Sequence, residues 1–192
     1  MIKRMLIVIS TMLFAFVVTA QDIYIQIGDI ALWMPVGVEK TIAAIRCPQL
    51  PFYYHADIIY DNSGNVITSA PPEGCGATSS LDDRMSSGKW SKLAILRNES
   101  LTESELNAVL DTAFSLQCNY DWIGFYLQWF DFLLSCSEIE FFRIWADLIP
   151  DLNCLSFAAY CHNFPNPHRI TPWGMIATPG WKIVDEYNLE EL

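Results

Sequence analysis

The feature that most limits the fold of this chain is a pair of apolar, β-branched runs joined by a polar turn. The first run extends from His55 to Tyr60, the turn covers Asp61 to Asn65 and contains Gly64, and the second run extends from Val66 to Ala70. Two such runs around a polar, glycine-containing turn are typical of an antiparallel β-hairpin. This pattern predicts an antiparallel sheet, to which similar runs at 23–32 and 92–97 would add further strands.

Helical patterns alternate with these strand patterns. Ser100 and Glu103 have the spacing of a capping box, which predicts a helix from there to about Leu116. A second amphipathic segment begins at Cys136, whereas the tail at 163–180 is rich in proline and has no periodicity. Strands and helices of this kind predict one α+β domain, with an antiparallel sheet packed against a few helices.

The first twenty residues have the pattern of a secretory signal peptide. Lys3 and Arg4 precede an apolar run at 5–18, and Ala20 provides a small residue at the expected cleavage point. An uncleaved anchor helix is the alternative, but the run is short for a full membrane span. We therefore expect a periplasmic or secreted protein whose mature domain covers 21–192 and has no stable membrane span after cleavage.

Charge and metal-ligand spacing exclude several classes of function. The chain has 22 acidic and 11 basic side chains, a formal net charge of −11, and no basic cluster to attract phosphates. Nucleic acid is therefore not an expected partner. Its three histidines are scattered and its six cysteines form no CxxC pair, so we expect neither a metal site nor a cofactor. Cys154 and Cys161 would lie about 10 Å apart along a helix, which is too far for a disulfide.

The candidate catalytic residues are a histidine that opens a strand and a cysteine that opens a helix. His55 begins the first run of the hairpin, and Cys136 follows Ser135, which is a plausible helix cap. Cysteine is a strong nucleophile as the thiolate, and a helix N-terminus together with a nearby imidazole lowers its pKa. The alternative is that Cys136 is an ordinary buried cysteine and His55 a histidine satisfied within the core.

The order of the motifs resembles that of the YiiX-like cysteine hydrolases, a circularly permuted branch of the NlpC-type cell-wall peptidases. The resemblance covers nearly all of the chain after the signal-like segment and implies a circularly permuted papain-like fold. The segments that carry it are Gly28–Leu32, His55–Ile59, Val66–Ala70, Leu93–Arg97, Asn119–Trp122 and Cys136–Ile139.

The same resemblance assigns roles within the predicted site. It implies Cys136 as the nucleophile, His55 as the base, and a polar residue on the next strand that orients the imidazole. This chain has Ser69 where the family usually has a glutamate. A hydroxyl can hold the imidazole but cannot offset its positive charge. Asp57, on the same strand face as His55, is the alternative orienter, and Glu73 is a third candidate beyond the turn.

These observations predict an exported cysteine hydrolase, an amidase or peptidase that cleaves an amide bond. The resemblance implies peptidoglycan peptides or a related substrate. One alternative is a thioesterase, acyl-lipid hydrolase or acyltransferase, because the branch that resembles lecithin:retinol acyltransferase uses the same Cys–His pair on lipids. Another is a non-catalytic binding module that keeps the fold. The substitution of Ser69 for the usual glutamate favours this last alternative.

Overall fold

A six-stranded antiparallel sheet forms the centre of the computed structural model, which describes residues 23–37, 53–127 and 151–190. The order of the strands across the sheet is β4-β3-β2-β1-β5-β6. Their bounds are β1 Ile30–Pro35, β2 His55–Ile59, β3 Asn65–Ala70, β4 Gly74–Ser80, β5 Trp90–Asn98 and β6 Trp181–Asn188.

Helices pack on the sheet, which confirms the α+β class and is consistent with a papain-like fold. The named helices of the described segments are α1 Leu81–Ser86, α2 Glu103–Ser115, α3 Cys154–Cys161 and α4 Pro172–Ala177. Residues 122–127 are helical as well. Within the described residues, no helix is both long and apolar enough to span a bilayer.

The two faces of the sheet bury two separate groups of side chains, because successive residues of a strand point to opposite faces. One face packs against α2, α3 and α4, and the other is covered in part by Leu81 of α1. Ala56 and Ile58 of β2 belong to the first group, and Ile59 belongs to the second. By this alternation His55 and Asp57 start on the same face as Ile59.

The predicted hairpin is present. β2 and β3 pair in antiparallel register, with Ile58 opposite Ile67 and Ile59 opposite Val66. The carboxylate of Asp61 fixes the turn, because its Oδ1 accepts hydrogen bonds from the backbone N–H groups of Ser63 and Asn65. The geometry of the turn and the pattern of buried side chains on the two strands therefore set the register, as the sequence pattern predicts.

The cap of α2 lies two residues later than predicted. The hydroxyl of Thr102 accepts a hydrogen bond from the Glu105 N–H, and the Glu105 carboxylate accepts one from the Thr102 N–H. Ser100 instead donates its hydroxyl hydrogen to the side chain of Asn98. Both the pair at 100 and 103 and the pair at 102 and 105 fit the capping-box spacing, so spacing alone could not distinguish them.

Two parts of the sheet and one helix lack a clear periodic pattern. β4 lies at one edge of the sheet and β6 at the other, and both are largely half-exposed, so their side chains do not alternate cleanly between apolar and polar. The tail predicted to have no periodicity contains α4, which is capped by Thr171 and begins with Pro172. The proposed signal peptide and the segment around Cys136 lie outside the described residues.

Candidate active site

Cys154 is the first residue of α3. The preceding residue, Asn153, is the helix cap, and its side-chain oxygen accepts a hydrogen bond from the Ser156 N–H. Asparagine is among the best N-cap residues, which explains why the helix begins here. The Cys154 sulfur therefore lies at the helix N-terminus, where the partial positive charge of the helix favours a thiolate. The residue is buried.

The Cys154 thiol contacts the imidazole of His55. The two side chains share a hydrogen bond, and the Ala56 backbone N–H also donates to the sulfur. The Tyr54 carbonyl oxygen lies 3.9 Å from the sulfur and can accept the thiol hydrogen. Because Nε2 of His55 is occupied by Asp57, Nδ1 is the ring nitrogen left for the thiol. The start of β2 and the start of α3 therefore bring a nucleophile and a base together.

Asp57 holds the other side of the imidazole. Its Oδ1 lies 2.8 Å from His55 Nε2. Two further donors complete its contacts: Arg84 Nη2 lies 2.9 Å from Oδ1, and the Trp33 indole Nε1 lies 2.7 Å from Oδ2. The carboxylate is fully buried. A buried carboxylate with three donors is well satisfied, and these donors fix the direction in which it meets the imidazole.

The contacts change the pKa of each member of this group. Burial alone would lower the pKa of His55, but the Asp57 carboxylate and the Cys154 sulfur outweigh it and raise that pKa to about 9. Burial alone would raise the pKa of Cys154, but the His55 imidazole outweighs it and lowers that pKa. The pKa of Asp57 is likewise lowered, against the effect of burial, by His55 and Arg84. These directions favour a thiolate–imidazolium pair beside an ionised carboxylate.

Trp90 covers the imidazole. Its ring lies parallel to that of His55 to within 23°, with the centroids 5.5 Å apart. Trp33 lies against Trp90 from the neighbouring strand, with ring centroids 5.9 Å apart. His55 is only 9% exposed. The two tryptophans therefore limit the access of water to the His55–Asp57 contact, which strengthens the electrostatic interaction.

The segment that leads into Cys154 is held on several sides. The Leu152 carbonyl accepts hydrogen bonds from the Ser69 hydroxyl at 2.6 Å and from the Asp121 N–H at 3.3 Å. Tyr120 and Leu152 form an isolated parallel β-bridge. The N–H of the preceding residue, Asn119, donates to the Asp151 carboxylate. These contacts fix the direction from which the chain enters α3.

A disulfide links this support to the sheet. Cys118 is bonded to Cys75 of β4 across 43 residues, and the Cys75 N–H also donates to the Cys118 carbonyl at 3.0 Å. Cys118 precedes the residues that contact the Leu152 segment. The disulfide is therefore connected to the start of α3 through a short run of backbone contacts.

Two of the predicted site residues differ from those that surround His55 in the structure. His55 lies beside a helix-starting cysteine, but in the described part of the chain that cysteine is Cys154. Cys136, the predicted nucleophile, lies outside the described residues. The orienting contact belongs to Asp57, the alternative, and not to Ser69, the preferred candidate. Ser69 faces the helix side of the sheet, where its hydroxyl is used by Leu152.

Asp57 reaches the imidazole although the two residues are neighbours on one strand. His55 stands at the first position of β2, and its Nε2 reaches the carboxylate of Asp57, two residues further along the strand. Arg84 and Trp33 approach the carboxylate from the other sides. Glu73, the third candidate orienter, is exposed in the turn between β3 and β4.

A signal for Cys154 was present in the sequence. Asn153 precedes a run without charged residues, 154–161, which is buried almost throughout. An asparagine before an apolar run is a strong sign of a helix start. The segment at Cys136 instead carries Glu138 and Glu140 close in sequence to the cysteine, and negative charges near a thiol raise its pKa.

Asp121 forms a turn at the start of a helical segment. The Gly124 N–H donates to the Asp121 side chain at 2.6 Å, and the Phe125 N–H donates to its backbone carbonyl at 3.0 Å. Asp121 therefore caps the helical residues 122–127. Among the described residues, no group of three or more histidine, cysteine or acidic side chains is placed to bind a metal ion.

No family model matches the sequence, and no curated protein matches it. Among solved structures, the chain is similar to the crystal structure of the metalloprotein YiiX from Escherichia coli O157:H7, with a TM-score of 0.48 and 14% sequence identity. That likeness covers 84% of this chain and 97% of the other. The family that the sequence motifs suggest therefore stays a prediction.

Proposed function

We propose that this protein is a cysteine-dependent hydrolase in which Cys154 is the nucleophile, His55 the general base and acid, and Asp57 the residue that holds the imidazole. One observation carries the proposal. A cysteine at the start of a helix contacts an imidazole whose other nitrogen is bonded to a buried carboxylate. This is the arrangement of groups that activates a thiol for attack on a carbonyl.

The chemistry follows from the positions of these groups. The Cys154 thiolate attacks the carbonyl carbon of an amide, and the oxygen of that carbonyl takes up the negative charge. The backbone N–H of Cys154 opens α3, where N–H groups have no acceptor within the helix, and it is our candidate donor to that oxygen. The His55 imidazolium gives its proton to the leaving amine. Neutral His55 then takes a proton from the water that releases the acyl group.

Export of the protein forms part of the proposal. The signal-like first twenty residues suggest it, and the disulfide between Cys75 and Cys118 supports it, because disulfides persist in oxidising compartments. An amide in peptidoglycan peptides or a related molecule is the substrate that the sequence resemblance favours. The binding-module alternative depended on a missing carboxylate beside His55, and Asp57 provides one.

A row of aromatic rings favours an acyl substrate as the second candidate. Tyr54, next to His55, lies edge-on to Phe125 with ring centroids 5.5 Å apart, and Phe125 contacts Trp122 and Tyr126 in turn. Trp122 is 49% exposed and Tyr126 is 60% exposed. Rings of this kind can bind an apolar chain near the sulfur. Thioester or acyl-lipid chemistry would use the same Cys154–His55 pair.

Hydrolysis assays on three variants test the proposal. A panel of p-nitroanilides, p-nitrophenyl esters and thioesters should show turnover by the wild type and none above background by Cys154→Ala. Cys161→Ala is the matched control, because this second buried cysteine lies on the same helix and burial raises its pKa to about 12. It should retain the wild-type rate. Equal activity of Cys154→Ala and the wild type would exclude Cys154 as the nucleophile.

A further inference from the structure

Arg84 of α1 lies in the charged group around His55 but takes no part in the proposed bond-forming steps. Its Nη2 donates to Oδ1 of Asp57 at 2.9 Å, the same oxygen that contacts His55 Nε2. The Arg84 side chain is 19% exposed, and the Asp57 side chain is fully buried. Arg84 Nε is also buried and has no hydrogen-bond partner in the described part of the chain. A guanidinium in this position brings a permanent positive charge next to the carboxylate.

We propose that Arg84 is a positioning residue that neutralises the Asp57 carboxylate, so that Asp57 can hold His55 without opposing the charge of the Cys154 thiolate. This inference rests on the proposed function, because it assumes that the Cys154–His55 pair reacts as thiolate and imidazolium.

The charges of the four groups show what Arg84 contributes. In the reactive state Cys154 and Asp57 are negative, whereas His55 and Arg84 are positive, so the group is neutral as a whole. In the described residues, the charged groups around the imidazole are Asp57 of β2, Arg84 of α1 and Cys154 of α3. Without Arg84 the group would carry one net negative charge inside the protein. Buried net charge is unfavourable, so both proton losses from the Cys154–His55 pair would become harder.

A purely structural role for Arg84 has less support. The start of α1 is already capped by Ser80, whose side chain accepts a hydrogen bond from the Asp83 N–H. Leu81 of the same helix is buried against the sheet. Helix α1 therefore has its own cap and its own apolar contact. The bond from Arg84 to Asp57 adds a charge at the site where the imidazole is held.

The pH dependence of Cys154 alkylation tests this role without any substrate. Iodoacetamide would be applied from pH 4 to 11, and the modified Cys154 peptide would be quantified by mass spectrometry. Arg84→Met should move both the acid and the alkaline limb of the profile upward by about one to two pH units, the size expected for a charge about 6–12 Å away at an effective dielectric of about 20. Arg84→Lys should keep both limbs near their wild-type positions, because it keeps the charge.

Control variants separate this effect from a general loss of charge or of stability. Lys182→Met removes a cation from an exposed pair with Glu99 and should leave the profile unchanged. Loosening of the fold by Arg84→Met would lower the reaction rate without moving both limbs in one direction. If Arg84→Met does not fold, Arg84→Gln provides the neutral variant and Arg84→Lys the charged one.

Two results would overturn the inference. One is a profile of Arg84→Met or Arg84→Gln that coincides with the wild type, and the other is an Arg84→Lys profile that moves as far as the neutral variants. A wild-type Cys154 that shows no reactivity below the pH of an ordinary thiol would instead contradict the proposed function itself. The two failures are therefore distinguishable in one experiment.

Discussion

Replacing Asp57 by asparagine removes the charge that holds His55 while preserving the shape of the side chain. The carboxylate is fully buried and lies 2.8 Å from His55 Nε2. For charges about 4 Å apart, an effective dielectric of about 20 gives an attraction of about 4 kcal/mol. This corresponds to about three units of the His55 pKa. We therefore expect the pKa of His55 to fall from about 9 to the range of an ordinary histidine or below.

The loss of the imidazolium should reduce the fraction of Cys154 that is thiolate at neutral pH. The Asp57 charge also raises the pKa of Cys154 directly, and its removal would favour the thiolate. This gain partly offsets the loss of the imidazolium. We expect the rate of Cys154 alkylation at pH 7 to fall by about 10- to 100-fold, equivalent to one to two of those pKa units.

The assay combines alkylation rates with NMR titration of the His55 ring. Asp57→Asn also leaves the Arg84 cation without its partner, which commonly costs about 3–5 kcal/mol. Thermal unfolding must therefore show that the variant is folded under the assay conditions. Asp82→Asn, an exposed carboxylate on α1, is the matched control and should change neither measurement. An unchanged His55 pKa in a folded Asp57→Asn protein would refute the reasoning.

Three further predictions concern stability. Replacing Cys75 and Cys118 together by serine should destabilise the fold by about 4 kcal/mol, the value for a loop of this length, and should slow Cys154 alkylation. An unchanged midpoint of urea unfolding would contradict this. Thr102→Ala should cost about 1 kcal/mol in the same measurement and leave alkylation unchanged, because it removes only the α2 cap. Between pH 6.5 and 9, the raised pKa of His55 makes stability fall with rising pH, whereas the lowered pKa of Cys154 makes it rise. The two effects oppose each other in the wild type, so Cys154→Ala should lose more stability than the wild type as the pH rises above 6.5. Equal slopes in the two proteins would contradict the coupling.

Local sequence patterns predict the central hairpin because its information is contained in a short stretch. The apolar run of β2, the Asp61 turn and the run of β3 are adjacent in the sequence, and the side-chain alternation sets their register. The edge strand β6 is different. It is joined to its partner β5 only after some eighty residues of intervening chain, and it is half-exposed on both faces. Its position depends on contacts that no local pattern contains.

The candidate site shows the same division between local and distant information. His55 is predicted from its place at the start of a β-branched run. Asp57 follows it by two residues, but its contact with the ring depends on donors from β1 and α1 that the sequence does not place. The choice between Cys154 and Cys136 depends on which helix start meets β2 in space. Ser69 illustrates the converse, since its position on the strand next to β2 is as predicted but its side chain contacts Leu152.

The identity of the cysteine that reacts is the most direct test of the account. The wild-type protein would be treated at pH 7 with less than one equivalent of iodoacetamide, and the modified cysteine identified by peptide mass spectrometry. The contact of Cys154 with His55 predicts that the label lies on Cys154, and that Cys154→Ala loses it while His55→Ala slows it strongly. Labelling of Cys136 in preference to Cys154, with His55→Ala having no effect on either, would contradict the account.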